Sequence, residues 1–276
     1  MPRNGLISRI QMLNGKPLRN VPDDAPPDSD IPESQTVRLE DAIDGVEVEA
    51  PHGSGYYFVE MPAVSLEAGA DLICKRFISL TGYPDCDAVE RLAKACKSQR
   101  IAPSEIVFLD LETTGLSSTP LFLIGTMECA SEGLVFKQYF ARNYSEEASV
   151  ISAFADRLRD VRLVVTFNGK CFDVPFLSSR AAANGVDLPV PEFHLDLLYE
   201  SRRIYRRELP NCRLQTLERM ICGRHREDDI PSSEIPRAYR DFVRTSNAFR
   251  ISQILRHNLF DLLTLADLMH RMWYRN

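Results

Sequence analysis

The sequence predicts an α/β protein with a mixed central sheet flanked by helices and a small α+β appendage on its N-terminal side. Two observations lead to this fold class. Three apolar stretches (IVFLDLETT, LFLIGTMECA and LVFKQYFAR) follow one another as adjacent strands of a meander. A helix, a strand, a helix and a strand then alternate, which is typical of helices packed on a mixed sheet.

The alternating elements have recognisable ends. A helix is predicted from Ser145 or Glu146 through Leu158, and RLVVTFNG follows as an apolar strand. The next helix, VPFLSSRAAANG, is expected to stop at Asn184–Gly185, because this pair adopts the left-handed conformation that closes helices. HLDLL is predicted as a short strand. The rest is mainly helical, with a short helix at 214–222 and a long one at about 247–272.

Composition divides the chain into three regions. A stretch rich in proline and aspartate and poor in bulky apolar side chains predicts that residues 1–35 are flexible. Residues 36–102 are expected to form a small mixed α/β accessory region that braces the main domain, residues 105–276. The accessory region is predicted to contain strands around Val46–Val48 and Tyr56–Glu60, a turn at His52–Gly55 and a helix over Asp87–Lys97.

The composition favours a globular protein of the cytoplasm. Seven scattered cysteines lack the close spacing of a zinc site or a redox dithiol, so we expect free thiols in a reducing compartment. The N-terminal residues lack the apolar core of a signal peptide, and no stretch approaches the ~18 apolar residues of a membrane span. The net charge of −6 opposes nucleic-acid binding unless bound cations reverse the local sign.

Two acids stand where the first apolar strand runs out. Asp110 and Glu112 are two positions apart, and side chains with this spacing on a strand share one face. Like charges on one side of a buried strand are unfavourable unless a cation neutralises them. The pair therefore indicates a metal site, although a solvated strand end would have the same pattern.

Two further acids are expected near the same edge of the sheet. Asp173 follows the strand VVTFNG at the start of a helix, where an aspartate can also serve only as a cap. That strand is expected beside the first one, so its end would meet the first acids. Asp261 borders the apolar stripe of the last helix, one turn after His257. A histidine–aspartate pair on the surface of the helix would have the same spacing.

Together, four carboxylates from different elements predict a centre for phosphodiester hydrolysis. Hard oxygen ligands suit Mg²⁺ or Mn²⁺, and several carboxylates can hold two such ions about 4 Å apart. The ions would activate a water and stabilise the leaving 3′-oxygen, while a neighbouring histidine accepts the proton of the water. Two divalent metal ions are therefore the expected cofactors.

Three motifs carry a resemblance to a known group of enzymes. FLDLETTG, VTFNGKCFD and HNLFDLLTL resemble, in this order, the motifs of the DEDD 3′–5′ exonuclease superfamily. More narrowly, HLDLLYESRR, CRLQTLERMICG and REDDIP resemble the YprB-like ribonuclease-H-like domain family. The resemblance implies a ribonuclease-H-like fold. It also implies that Asp110, Glu112 and Asp261 hold one ion, and that Asp110 and Asp173 hold the second.

His257 departs from the superfamily pattern. Members with a histidine base place it five residues before the last aspartate, whereas those with a tyrosine place it four before. His257 has the tyrosine spacing. It either does the work of the tyrosine or orients neighbouring groups, and we include it among the catalytic candidates.

Polar and basic residues near the acids are candidates for nucleic-acid binding. Residues 194–226 contain eight arginines against four acids, a surplus that can contact backbone phosphates but is also typical of a solvated helix face. Asn168 and Asp196 are expected to be mainly structural. The candidates for binding are Thr113, Asn168, Arg202, Arg203, Arg206 and Arg207.

These features predict a metal-dependent 3′–5′ exonuclease, a phosphodiesterase acting on the 3′ end of single-stranded DNA or RNA by a two-metal mechanism. The first alternative is a catalytically inactive ribonuclease-H-like module that binds nucleic acid or a protein partner. An endonuclease with the same fold is a further alternative. A membrane partner is not expected.

Overall fold

One mixed sheet runs through the residues that the computed structural model describes, which are 36–50, 54–82, 92, 94–97, 99–115, 119–227 and 229–273. Its strands are β1 (Val46–Val48), β2 (Tyr56–Pro62), β3 (Ile106–Thr113), β4 (Leu121–Ala130), β5 (Gly133–Phe140), β6 (Leu163–Thr166) and β7 (Phe193–Asp196). Their order is β1-β2-β5-β4-β3-β6-β7. Neighbours among β1 to β5 pair antiparallel, whereas β6 joins β3 and β7 joins β6 in parallel. Strand β3 therefore lies inside the sheet, between β4 and β6.

Helices cover both faces of this sheet. They are α1 (Leu39–Ala42), α2 (Ala63–Leu66), α3 (Ala70–Gly82), α4 (Glu147–Leu158), α5 (Asp173–Ala183), α6 (Leu197–Tyr205), α7 (Leu214–Leu217), α8 (Ile235–Thr245) and α9 (Phe249–Trp273). A π-helix, Glu218–Cys222, continues α7. The mixed sheet with flanking helices confirms the predicted α/β class.

Strand β3 contributes to two separate apolar cores because its side chains alternate between the two faces. Val107, Leu109 and Leu111 pack with α4, α5 and α8. Ile106 and Phe108 pack with α3 and the C-terminal part of α9. The long last helix thus covers the face to which the even-numbered residues of β3 belong.

The region predicted as an accessory is built into the same sheet. Strand β2 pairs with β5 along its length, and β1 pairs with β2. Phe77 of α3 packs against Phe108 of β3, with ring centroids 5.4 Å apart. The described residues from Val37 onward belong to one compact unit. The bracing role of residues 36–102 stays a prediction.

Two predicted boundaries need correction. The strand predicted as HLDLL ends at Asp196, and α6 begins at Leu197. The reason is that the Asp196 carboxylate accepts the backbone N–H of Leu198 at 3.0 Å and so caps a helix instead of continuing a strand. The last helix begins at Phe249, two residues later than expected, because the Asn247 side chain accepts the N–H of Phe249.

Some predictions fall outside the described residues. They concern the flexible segment 1–35, residues 52–53 of the predicted turn and residues 87–91 and 93 of the predicted helix. Leu92, Lys94 and Ala95 of that helix are helical, whereas Cys96 and Lys97 form a turn, in which Lys97 has a left-handed φ of 52°. In the part of the chain that is described, no helix has both the length and the apolar character needed to span a membrane.

Candidate active site

The two acids of β3 belong to the face of the sheet that α9 covers. Asp110 and Glu112 continue the row of Ile106 and Phe108, because alternate residues of a strand share a face. Both acids are half-buried. The two side chains therefore share a face, as their spacing predicts. They place carboxyl groups between the sheet and α9, where the apolar side chains of Ile106 and Phe108 precede them.

A buried amide from α9 holds Asp110. Nδ2 of Asn258 donates to Oδ2 of Asp110 at 2.8 Å, and Oδ1 of Asn258 accepts from Nε2 of Gln138 at 2.8 Å. Asp110, Gly125 and Gln138 are register partners across β3, β4 and β5. A Cβ atom at Gly125 would lie 1.9 Å from Oδ1 of Asn258. Glycine at this position therefore allows the Asn258 side chain to lie against the sheet.

Asp173 follows the loop after β6, the neighbouring parallel strand. It is the first residue of α5 and is only 5% exposed. The loop before it is shaped by Asp196, whose carboxylate accepts the backbone N–H groups of Asn168 at 2.8 Å and Lys170 at 3.0 Å. Asn168 has a φ of 66°, a left-handed conformation that asparagine tolerates better than most residues. Asp196 thus fixes the conformation of the loop that precedes Asp173.

His257 and Asp261 are tied to the segment that follows the π-helix. Nδ1 of His257 lies 2.7 Å from Oδ1 of Asp229, and Nε2 lies 3.5 Å from Oδ2 of Asp261. Oδ1 of Asp261 accepts from Nη2 of Arg226 at 2.5 Å. Burial lowers the pKa of His257, but the hydrogen bond to Asp229 and the charge of Asp261 outweigh it and raise that pKa. Asp229 therefore orients the imidazole and makes it a stronger base.

Burial and mutual repulsion disfavour full ionisation of the acids. Burial raises the pKa of Asp110 well above its usual range, and the charges of Asp261 and Asp173 raise it further. Burial also raises the pKa of Glu112, and the negative charge of Asp110 raises it further. Burial raises the pKa of Asp173 to about 7. A nearby cation would therefore be needed to favour the ionised form of these carboxylates.

An open cleft of 670 Å³ gives solvent access to part of this cluster. Its lining residues are Asp110, Phe167, Asn168, Leu198, Arg202, Asn211, Cys212, Arg213, Leu214, Gln215, Ser232, His257 and Asp261. Acids from β3 and α9 thus share one cavity with two arginines from the α6–α7 region. Such a combination can accommodate an anionic ligand beside carboxylate-bound cations.

The predicted nucleic-acid-binding residues separate into two groups. Asn168 and Arg202 line the cleft. Arg203, Arg206 and Arg207 are exposed and do not line it, and Arg203 donates to Glu200 at 2.7 Å. Thr113 uses its hydroxyl within the chain, since Oγ1 donates to the carbonyl of Gly115 at 2.7 Å. The structure therefore brings two of these six candidates to the acids.

The chemistry of the donors fits a hard divalent cation. All four predicted ligands are carboxylates, and the pKa values of Asp110, Glu112 and Asp173 are raised in a way that bound positive charge would reverse. Within the described residues, no three side chains of histidine, cysteine, aspartate or glutamate are spaced to hold an ion as they stand. A closed coordination shell would therefore require side-chain movement.

Sequence reasoning missed four residues that support the site. Asn258 and Gln138 hold Asp110, while Arg226 and Asp229 hold Asp261 and His257. Asn258 had a detectable signal, because an amide inside the apolar stripe of a helix requires a partner. The other three contacts join segments far apart in the chain, and no local pattern indicates them.

Comparison with known proteins identifies the family. A family model described as the RNase_H superfamily matches residues 107–273. The chain belongs to the RNase H superfamily. The match begins at β3 and includes every predicted site residue, so the superfamily domain coincides with the region that carries the acids. The predicted ribonuclease-H-like fold, a nuclease-like fold, is confirmed.

One relative agrees with the narrower resemblance. The chain is 30% identical over 174 residues to uncharacterized protein YprB of Bacillus subtilis, covering 61% of this chain and 42% of that protein. The YprB-like family is thereby confirmed, although the chain spans less than half the length of that relative. Over 79 residues it is 34% identical to a catalytic polypeptide of DNA polymerase epsilon from Candida glabrata, covering 24% of this chain and 4% of that one. A family B DNA polymerase structure from Pyrobaculum calidifontis has a TM-score of 0.48 and 20% identity, covering 59% of this chain and 24% of its own.

The close approach of Asn258 to the sheet leads to a test at Gly125. We expect Gly125→Ala to lower the free energy of unfolding by about 1–3 kcal/mol, because the added methyl group overpacks a filled position. Adding Asn258→Ala should make the effect of the methyl group smaller, since the atoms it meets are removed. Urea denaturation of both single variants and the double variant measures this coupling; additive effects would contradict it.

The repulsion within the cluster leads to a second test. Glu112→Gln should raise the midpoint of thermal unfolding in EDTA, because it removes a charge that burial and Asp110 disfavour. Asp187→Asn, at an exposed position, is the matched control and should leave the midpoint nearly unchanged. Differential scanning calorimetry measures both midpoints. A lower midpoint for Glu112→Gln would show that its charge is already compensated.

Proposed function

We propose that this protein is a metal-dependent 3′–5′ exonuclease that hydrolyses terminal phosphodiesters of single-stranded DNA or RNA. The observation that supports this most is the shared cleft, where Asp110, His257 and Asp261 line the same cavity as Arg202 and Arg213. Arginines can contact the backbone phosphates, which would bring a phosphodiester next to the acids. Membership of the RNase H superfamily agrees with a nuclease.

In this proposal the acids hold two divalent cations, Mg²⁺ or Mn²⁺. The ligands would be Asp110, Glu112, Asp173 and Asp261. When bound, the ions would supply an activated water and stabilisation of the leaving 3′-oxygen. The four carboxylates would bind and orient the ions, and Asn258 would keep Asp110 in place through its 2.8 Å hydrogen bond.

His257 is the proposed general base. With Nδ1 held by Asp229 at 2.7 Å, Nε2 is the nitrogen left to accept a proton, and it lies on the side of Asp261. The tyrosine-like spacing of His257 then places an imidazole where other members use a phenol. Its contribution is expected to be about 10²–10⁴-fold in rate, the usual range for general base catalysis.

The cleft also offers contacts for a single strand. Arg202 and Arg213 would bind backbone phosphates, and Phe167 would provide an apolar surface for a base. These arginines supply local positive charge that the overall charge of −6 does not reveal. We place the activity in the cytoplasm, where the free cysteines of the described residues would stay reduced.

One observation favours a second candidate function. Asp261 already pairs with Arg226 at 2.5 Å, so part of its charge is neutralised without a metal ion. A catalytically inactive module that binds nucleic acid or a protein partner would tolerate this pairing. Such a module predicts oligonucleotide binding that does not depend on the carboxylates, with no turnover at any metal concentration.

The deciding experiment uses 3′- and 5′-labelled single-stranded DNA and RNA with Mn²⁺, Mg²⁺ or EDTA. We expect stepwise shortening from the 3′ end by the wild type and none in EDTA. Asp110→Asn should lower the rate at least about 100-fold, since even residues that only support metal ligands contribute about 10–100-fold. Asp187→Asn should retain full activity. No cleavage by the wild type with either metal, together with oligonucleotide binding, would favour the inactive module.

The cleft arginines can be tested by binding alone. Arg202→Gln and Arg213→Gln should weaken binding of a single-stranded oligonucleotide in EDTA. Each should also make the slope of log K against log salt shallower by about 0.7, the value of one phosphate contact on a single strand. Arg203→Gln is the matched control, since Arg203 is on the same helix but outside the cleft. Equal effects at Arg203 would refute the role of the cleft.

A further inference from the structure

Arg226 is a buried cation at the edge of the acidic cluster. Its side chain is 6% exposed, and Nη2 donates to Oδ1 of Asp261 at 2.5 Å. Nη1 donates to the carbonyl oxygen of His257 at 3.2 Å and lies 3.5 Å from Oδ2 of Asp229. The guanidinium also lies over the ring of Phe260, 5.5 Å from its centroid. One side chain thus contacts both acidic partners of the His257 imidazole.

The opposite side of this guanidinium is fixed by Glu218. Nε of Arg226 lies 2.8 Å from Oε2 and 3.0 Å from Oε1 of Glu218, a buried residue of the π-helix. Glu218 in turn accepts from Oγ1 of Thr264 on α9 at 2.9 Å. Nη1 of Arg224 also approaches Glu218 but lies farther away, 3.7 Å from Oε1, so Arg226 makes the closer contacts with this buried carboxylate, which is strongly unfavourable without a cation. Glu218 therefore keeps Arg226 in place whether or not Asp261 changes its partner.

This arrangement controls how Asp261 is presented. Arg226 donates to one carboxylate oxygen of Asp261, Oδ1, and the other oxygen, Oδ2, remains beside Nε2 of His257. Asp261 and His257 both line the cleft. A carboxylate held in this way keeps one oxygen oriented for a ligand. Supporting partners of metal ligands act by such orientation.

We propose that Arg226 is a positioning residue that orients Asp261 and thereby strengthens binding of a divalent cation; this rests on the proposed function. The opposite role, competition between Arg226 and the cation for Asp261, would make loss of the arginine increase affinity. The fixed pairing with Glu218 favours orientation, because Arg226 does not need to leave Oδ1 for Oδ2 to bind an ion. The sign of the change in affinity separates the two roles.

The test is a Mn²⁺ titration of the whole protein without nucleic acid, by calorimetry and by the electron paramagnetic resonance signal of free Mn²⁺. Arg226→Gln should weaken Mn²⁺ binding about 10–100-fold, and Arg226→Lys should recover part of it. Arg180→Gln is the matched control, because Arg180 makes a bidentate pair with the buried Glu147 and does not line the cleft. It should leave the Mn²⁺ affinity unchanged even if the protein is less stable. Should Arg226→Gln not fold, the double variant Arg226→Gln/Glu218→Gln removes both buried charges and should show the same loss.

The outcomes separate this inference from the proposed function. Unchanged or tighter Mn²⁺ binding by Arg226→Gln would overturn the positioning role while leaving the metal site in place. Wild-type protein that binds no Mn²⁺, or binds it as well as Asp110→Asn does, would overturn the metal-dependent function itself. Weaker binding by Arg226→Gln, with normal binding by Arg180→Gln, supports both.

Discussion

The arrangement of the acidic cluster depends on the buried amide of Asn258. This side chain joins α9 to Gln138 on β5 and to Asp110 on β3. It lies so close to Gly125 on the intervening strand β4 that a methyl group at that position would overlap it. Moving α9 along the sheet would leave buried polar groups without partners, at about 1–3 kcal/mol for each. The contact therefore specifies the register of α9 against β3. Because His257 and Asp261 are on the same helix, it also specifies how they face the acids of the sheet.

Long-range contacts also govern the opposite side of the site. The segment after the π-helix carries Arg224 and Arg226, which both contact Glu218 and each pair with a further acid. Nε of Arg224 lies 2.6 Å from Glu67, in the N-terminal region, whereas Arg226 binds Glu218 and Asp261. The N-terminal region thus contributes to the placement of a segment that reaches the candidate active site. This link gives residues 36–102 a physical connection to the site, although they lie outside the superfamily match.

Elements with local periodicity could be predicted from the sequence, and contacts between distant segments could not. The spacing of Asp110 and Glu112 determines that they share a face, and the one-turn spacing of His257 and Asp261 brings those two together. The sequence does not decide on which side of the helix boundary Asp196 falls, because capping and strand formation compete for the same short stretch. The pairing of Arg226 with Asp261 spans 35 positions. Nothing in the run REDDIP specifies that partner, since many acids are available to the arginine.

Charge balance explains why an acidic chain can have a site of this kind. The four candidate ligands are opposed by Arg226 at their edge and by Arg202 and Arg213 in the cleft, so positive charge is placed locally, not over the whole surface. Arg226 is permanently charged, and its geometry is fixed from both sides. A cation that is part of the chain can orient one carboxylate, but its planar fork cannot replace the several oxygen contacts of a metal ion. Burial and the neighbouring carboxylates still raise the pKa values of Asp110, Glu112 and Asp173, so the arginine does not make ionisation of these acids favourable. That remaining cost of ionisation, and not the arginine, is the physical reason to expect a divalent cation here.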